Sequence, residues 1–201
     1  MLFHKTDQKG FTIVELAVVI VLVGILSTGI YAFFNTSFSQ YLGLQQESST
    51  YNDLAYQTQR VSTVVRTATD IVSASQNDLT LYAYFWPNDS YVSLVHYYLA
   101  SGNTKLMAEV TPMSANPPQG SPLSDQAKTY TILENYFYQP SISLFEYLDS
   151  AGSVLGLPIN DLYTVKGVRV NMAVPNRTVV PTTTSSTISV QVTLRNRKTN
   201  L

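Results

Sequence analysis

The sequence contains no cysteine, which removes disulfides, thiolate nucleophiles and cysteine-ligated zinc and leaves the redox compartment unreadable. Charge is scarce: 12% of the 201 residues are Asp, Glu, Lys or Arg, about half the usual share for a soluble protein. It is also balanced, with 12 basic against 13 acidic side chains, so no global field favours nucleic acid and no nucleic-acid partner is predicted. Histidine is limited to His4 and His96. A lone histidine in a tyrosine-rich strand, as at His96, reads as a half-buried structural residue rather than a base or ligand. No HExxH, GxSxG, Walker A or EF-hand pattern is present, and the spacing of Asp149 and Asp161 does not demand calcium. The chain is therefore predicted to be no enzyme, with no catalytic residue, cofactor or metal. Sequons at Asn35, Asn88 and Asn176 are expected by chance in so Ser- and Thr-rich a chain. What the sequence does have is 14 tyrosines and many hydroxyl side chains, the composition of a secreted or surface β-rich protein. Its length suits one ordinary domain with an appendage.

The appendage is at the N-terminus. Residues 11–34 read FTIVELAVVIVLVGILSTGIYAFF, with Glu15 as the only charge. At about 1.5 Å per residue such a helix crosses a bilayer core of about 30 Å. Lys5 and Lys9 lie just ahead of it, so the positive-inside rule holds the short end in the cytoplasm and sends residues 35–201 across the inner membrane. A secretory signal peptide fits less well: the apolar run exceeds an h-region, and the small residues Ser27, Gly29 and Ala32 are embedded in apolar sequence. A plain signal anchor leaves Glu15 unexplained. A carboxylate in a membrane segment is costly, so Glu15 is by default a functional residue with a partner to name.

Lys9-Gly10-Phe11-Thr12-Ile13-Val14-Glu15-Leu16, followed by the apolar run, resembles the class III signal of type IV pilins, type II secretion pseudopilins and their relatives. That signal combines a basic leader, Gly, Phe, and Glu at the fifth place after the Gly. The resemblance implies cleavage between Gly10 and Phe11 by a membrane prepilin peptidase and methylation of the new Phe11 amine. Lys9, Gly10 and Phe11 are then processing residues, and Glu15 an assembly residue. Removing the 10-residue leader from 201 residues leaves a mature chain of 191. The implied partners are the peptidase, other pilins and minor pilins, an inner-membrane assembly platform, and membrane lipid before assembly. In an apolar bundle the Glu15 carboxylate needs a cation, and the free Phe11 amine of a neighbouring subunit supplies one, fixing the vertical register. Gly24 and Gly29 receive no role, glycine being common in membrane helices.

No proline occurs before Pro87, so the helix is predicted to continue well past the membrane. Leu54, Val61, Val65, Ala68 and Val72 recur at helical spacing and define a face for a sheet. Gly43 is the candidate bend, and the turn-like cluster at residues 73–78 is the predicted separator from the first strand. Aromatic and β-branched runs at 79–86, 91–100 and 105–111 read as a three-strand meander, with further strands at 143–149, 167–174 and 187–195. Residues 112–124 and 175–186 are long Pro-, Ser- and Thr-rich loops, either functional or mobile. Four regions result: a cleaved basic leader (1–10), a transmembrane and assembly helix (11–35), the soluble part of the helix (36–75) and a β-rich head (76–201). The fold class is α+β, a long N-terminal helix packed on a C-terminal antiparallel sheet domain, the pilin fold.

The second half carries a broader likeness. Tyr97-Tyr98-Leu99, residues 131–137 as a short helix or irregular segment, residues 145–152 beginning Phe145-Glu146-Tyr147, and residues 163–170 are similar to J-type minor pseudopilins and W-type minor pilins. The likeness departs at Leu106-Met107-Ala108-Glu109, where the family leads one to expect a strand residue followed by Arg. The likeness implies a minor pilin or pseudopilin of an initiating or tip complex. Two alternatives stand beside it: a major pilin, or a membrane-anchored β-rich adhesion module.

Overall fold

The computed structural model describes Gly10, residues 12–175 and residues 185–194. The chain divides into two compact units, Met1–Gln46 and Glu47–Leu201. One helix, α1 (Ile13–Arg66, 54 residues), supplies nearly all the described structure of the first unit and opens the second. Gly43 lies within it and does not interrupt it.

In the second unit α1 buries the expected face. Leu54, Val61 and Val65 are fully buried and join the core with residues of every strand described below. Thr58 sits between them, and its hydroxyl donates to the Leu54 carbonyl at 2.7 Å, so the buried oxygen is not left unsatisfied.

The helix stops nine residues short of the expected end. The Thr67 N–H is shared between the Thr63 and Val64 carbonyls at 3.3 and 3.0 Å, a tightening of the last turn. The Thr67 hydroxyl donates to the Val64 carbonyl at 2.8 Å and accepts the Tyr84 N–H at 3.2 Å. The β-branched Thr69, Ile71 and Val72 then continue as a strand. Val72, expected on the helical face, is instead 47% exposed on that strand.

Eight strands follow among the described residues. β1 (Asp70–Ala74), β2 (Asp78–Ala83), β3 (Ser93–Ala100), β4 (Lys105–Pro112) and β5 (Lys128–Leu133) form an antiparallel meander in sequence order. β6 (Phe145–Leu148), β7 (Gly167–Pro175) and β8 (Ser185–Thr193) form a second antiparallel sheet. The meander has five strands rather than three: β1 was expected in the helix, and β5 occupies part of the segment left as helix or irregular. Alternation places Leu79, Leu81, Val95, Tyr97, Leu106 and Ala108 in the core. The two sheets are tied by the Tyr147 hydroxyl, which donates to the Ser75 and Asp78 carbonyls at 2.8 and 3.2 Å, and by Phe145 N–H to Gln76 carbonyl at 3.0 Å.

The expected loop at 112–124 is a folded hairpin rather than a mobile tether. Met113 bridges Pro122, and the Leu123 N–H donates to the Pro112 carbonyl at 2.8 Å. A Cβ at Gly120 would stand 1.8 Å from the Ala115 carbonyl oxygen, so the chain closes this tightly only with glycine there. Of the other expected loop, residues 176–184 lie outside the described residues, as does Arg195 at the end of the last expected strand.

Candidate functional site

The N-terminal segment begins with a helix start that is chemically complete. Thr12 precedes the first helical residue, and Glu15 is the third. The Thr12 N–H and hydroxyl both donate to Glu15 Oε2, at 2.9 and 3.0 Å, while the Glu15 N–H donates back to the Thr12 hydroxyl at 3.3 Å. This reciprocal pair is a capping box, which satisfies amides that the helix cannot satisfy internally. Glu15 therefore has a partner within its own chain. Among the described residues its second oxygen, Oε1, accepts nothing, and it remains open to a cation.

Thr12 was not singled out in the sequence, although Thr-x-x-Glu ahead of an apolar run is the local signature that would have found it. Of the expected processing residues, Gly10 is described and exposed, and Lys9 and Phe11 lie outside the described residues.

Beyond the cap, the N-terminal stretch of α1 is apolar on all sides. Ile13 is 87% exposed, and Leu16, Ile20, Ile25, Leu26, Phe33 and Phe34 are likewise open. Among the described residues α1 is the one helix long and apolar enough to cross a membrane, and its most apolar stretch has nothing buried inside the chain. A helix hydrophobic all round belongs in a lipid phase or within a bundle. The Thr28 hydroxyl, inside that stretch, donates to the Gly24 carbonyl at 2.7 Å, so it takes no unmet donor into an apolar phase. A Cβ at Gly24, Gly29 or Gly43 would meet nothing within 4 Å; these positions have no packing role within the chain.

The residues considered for other chemistry have local structural partners. His96 Nε2 lies 2.6 Å from Asp78 Oδ2, Nδ1 lies 3.8 Å from Glu109 Oε2, and the ring stacks on Tyr98. Asp149 Oδ1 accepts the Ala151 and Ser153 N–H groups at 2.8 and 2.9 Å, and Asp161 Oδ1 caps a short 3-10 turn through the Tyr163 N–H at 2.9 Å. Both aspartates organise turns. Among the described residues no group of three His, Cys, Asp or Glu side chains is placed to hold a metal ion.

Comparison with known families agrees with the geometry of this segment. A model described as the prokaryotic N-terminal methylation motif matches residues 5–31, spanning the basic leader, Gly10, Phe11, the capping box and most of the exposed apolar stretch. No curated protein matches the chain. The chain thus carries a prepilin-type class III signal joined to an exposed apolar helix and a β-rich unit, which supports a structural pilin or pseudopilin subunit anchored in the inner membrane, cleaved by a prepilin peptidase and assembled with other pilins.

Proposed function

We propose that the chain is a minor pilin or pseudopilin, a subunit of a type IV pilus or type II secretion pseudopilus that joins the initiating or tip complex. The observation that carries the subunit reading is the methylation motif continuous with a helix whose most apolar stretch is unburied within its own chain. Such a helix is stored in lipid before assembly and exchanges lipid for neighbouring helices on assembly. Lys5 and Lys9 keep the leader cytoplasmic and the β-rich unit outside. The peptidase cuts between Gly10 and Phe11, the new amine is methylated, and Oε1 of Glu15 receives the Phe11 amine of a neighbour while Oε2 remains in the capping box. The assembly platform then draws the subunit from the membrane into the bundle.

The minor role is supported by the likeness of the aromatic segments on β3, β6 and β7 to J-type and W-type proteins, and by the lack of the cysteine pair with which many major pilins close a C-terminal loop. An initiating subunit lowers the cost of nucleating a bundle in which no member yet has all its contacts. Its loss should therefore reduce the number of fibres more than their length. Quantifying subunits in sheared fibres tests this, the expected result being a small minority of copies. Dominance along the shaft replaces the minor role with that of the major pilin. Mass analysis of the mature N-terminus should find methylated Phe11; a chain that retains Met1, or begins after the apolar run, overturns the pilin processing and leaves the anchored or secreted module.

A further inference from the structure

One cleft in the β-rich unit is unused by the assembly reading. It measures about 580 Å³, within the range of about 300–1,000 Å³ typical of small-molecule sites. The β2–β3 loop, the end of β4 and the approach to β5 form its walls. Trp86 and Tyr91 line it while remaining 44% and 47% exposed.

Trp86 is open but not loose. The Arg60 guanidinium carbon lies 4.7 Å from the ring centre, and Phe85 and Tyr130 meet the ring edge-on at 5.1 and 5.9 Å. Its N–H on the main chain donates to Asp89 Oδ2 at 3.0 Å. A large ring already fixed in place loses little freedom on binding and offers a flat apolar surface. The adjoining wall is equally set, because Asn116 Oδ1 accepts the Val92 N–H at 2.9 Å and the Gly120 closure holds the hairpin compact.

The polar lining complements these rings. Asp125 and Gln126, on a short 3-10 turn, make no side-chain hydrogen bond among the described residues. Asp89 and Asp125 in the lining are balanced by Lys128 and by Arg60 on Trp86, which suits a neutral ligand. A pyranose ring has a flat face of C–H groups and a rim of hydroxyls that both donate and accept. The aromatic floor suits the first, and the carboxylate acceptors with the Gln126 amide and Lys128 donor suit the second.

We propose that this cleft binds a neutral glycan, one sugar ring stacking on Trp86 and Tyr91 with its hydroxyls held by Asp125 and Gln126. The inference is independent of the subunit role and of any processing at the N-terminus.

Trp86 is the only tryptophan in the chain, so tryptophan fluorescence reports on one ring; that ring also lines a neighbouring cleft beside Arg60 and Tyr84, and the Asp125 and Tyr91 variants assign the change to the cleft described. The full chain in micelles of a sugar-free zwitterionic detergent is titrated with cellotetraose, chitotetraose and mannotriose, with oligogalacturonate as the anionic counterpart and a lysine-rich peptide as the cationic one. The expected result is a saturable emission change with at least one neutral saccharide and none with oligogalacturonate. Asp125→Ala and Tyr91→Ala should each weaken it about tenfold, with near-ultraviolet circular dichroism confirming that both variants fold. Silence toward all three neutral saccharides overturns the proposal, as does unchanged affinity in both folded variants. Saturation by the peptide alone overturns it in favour of a basic protein partner.

Discussion

Raising the pH should destabilise the β-rich unit, and the size of the effect follows from three buried phenols. Tyr97, Tyr136 and Tyr147 are all buried. Burial pushes the Tyr136 hydroxyl up to about 12, with neighbouring Tyr138 adding to the shift. Burial also raises Tyr97 and Tyr147 strongly, outweighing the opposing Arg60 charge in Tyr97 and the opposing Ser75 contact in Tyr147. In the unfolded chain each phenol ionises near pH 10. Above that pH the unfolded state releases protons that the folded state still holds, so stability falls as pH rises. The contribution is fully present below pH 10 and is lost through the window toward pH 12 and beyond. At pH 11 each tyrosine should cost about 1.4 kcal/mol, and the three together about 4 kcal/mol. That is a large part of the roughly 5–15 kcal/mol by which a domain is stable. The assay is urea unfolding of the full chain in detergent, followed by near-ultraviolet circular dichroism at constant ionic strength from pH 8 to pH 11. Tyr147→Phe should remove about one third of the pH slope, beside a loss of about 0.5–1.5 kcal/mol at pH 8 from its hydrogen bonds. An unfolding free energy that stays flat between pH 9 and pH 11 refutes the reasoning, and an unchanged slope in Tyr147→Phe refutes it for that residue.

Gly10→Leu should leave the leader attached, read as an intact mass; shortening by the leader mass shows that the cut does not depend on Gly10. Glu15→Gln keeps a carbonyl for the Thr12 N–H and removes the charge, so insertion and cleavage should survive while incorporation into fibres falls. Thr12→Val keeps the charge and removes the capping hydroxyl, so it should fray the first turn in helix-sensitive hydrogen exchange and lower incorporation less than Glu15→Gln; equal incorporation of wild type and Glu15→Gln excludes a register role for the charge. Ser62 Oγ is buried without a hydrogen-bond partner among the described residues, so Ser62→Ala should raise stability by about 1 kcal/mol, and a loss in urea unfolding shows that the hydroxyl has a partner in solution.

The membrane helix and the strands beginning near 79, 93, 105, 145, 167 and 185 were legible because composition and alternation each had one reading there. β1 was hidden by coincidence. Ala68 lies three residues after Val65 and Val72 four after Ala68, so a strand of five residues could be absorbed into a 3.6-residue period. What ends the helix is the Thr67 hydroxyl reaching Tyr84, a contact between residues 17 apart that no local window contains. The cleft was hidden for the same reason. Trp86 and Tyr91 are near neighbours in sequence, but Asp125 and Tyr130 reach them only because β5 returns alongside β4. Glu15 is legible as an unexplained charge; its bond to Thr12 is equally local, but a carboxylate in an apolar segment points first to a cation on another subunit.

The observed cap on Glu15 and the proposed amine of a neighbour need not compete, and the position of the proposed cut explains why. Cleavage between Gly10 and Phe11 leaves the peptide that joins Phe11 to Thr12 intact, so the N–H that Thr12 donates at 2.9 Å survives processing. The same cut would create an amine one residue ahead of the cap, beside the positive end of the helix dipole, where a cation is unfavourable. A carboxylate in the first turn offsets both charges at once, and two oxygens allow one to hold the cap while the other receives a neighbour's amine. Moving the acid one turn along, in a Glu15→Leu, Val19→Glu double variant, keeps the charge in the segment but separates it from Thr12. The expected outcome is a chain that inserts yet neither caps its helix nor enters fibres, measured by hydrogen exchange at the first turn and by subunit counts in sheared material. Normal incorporation of that variant would show that any carboxylate in the apolar stretch suffices, and that coupling between cap and amine has no part in assembly.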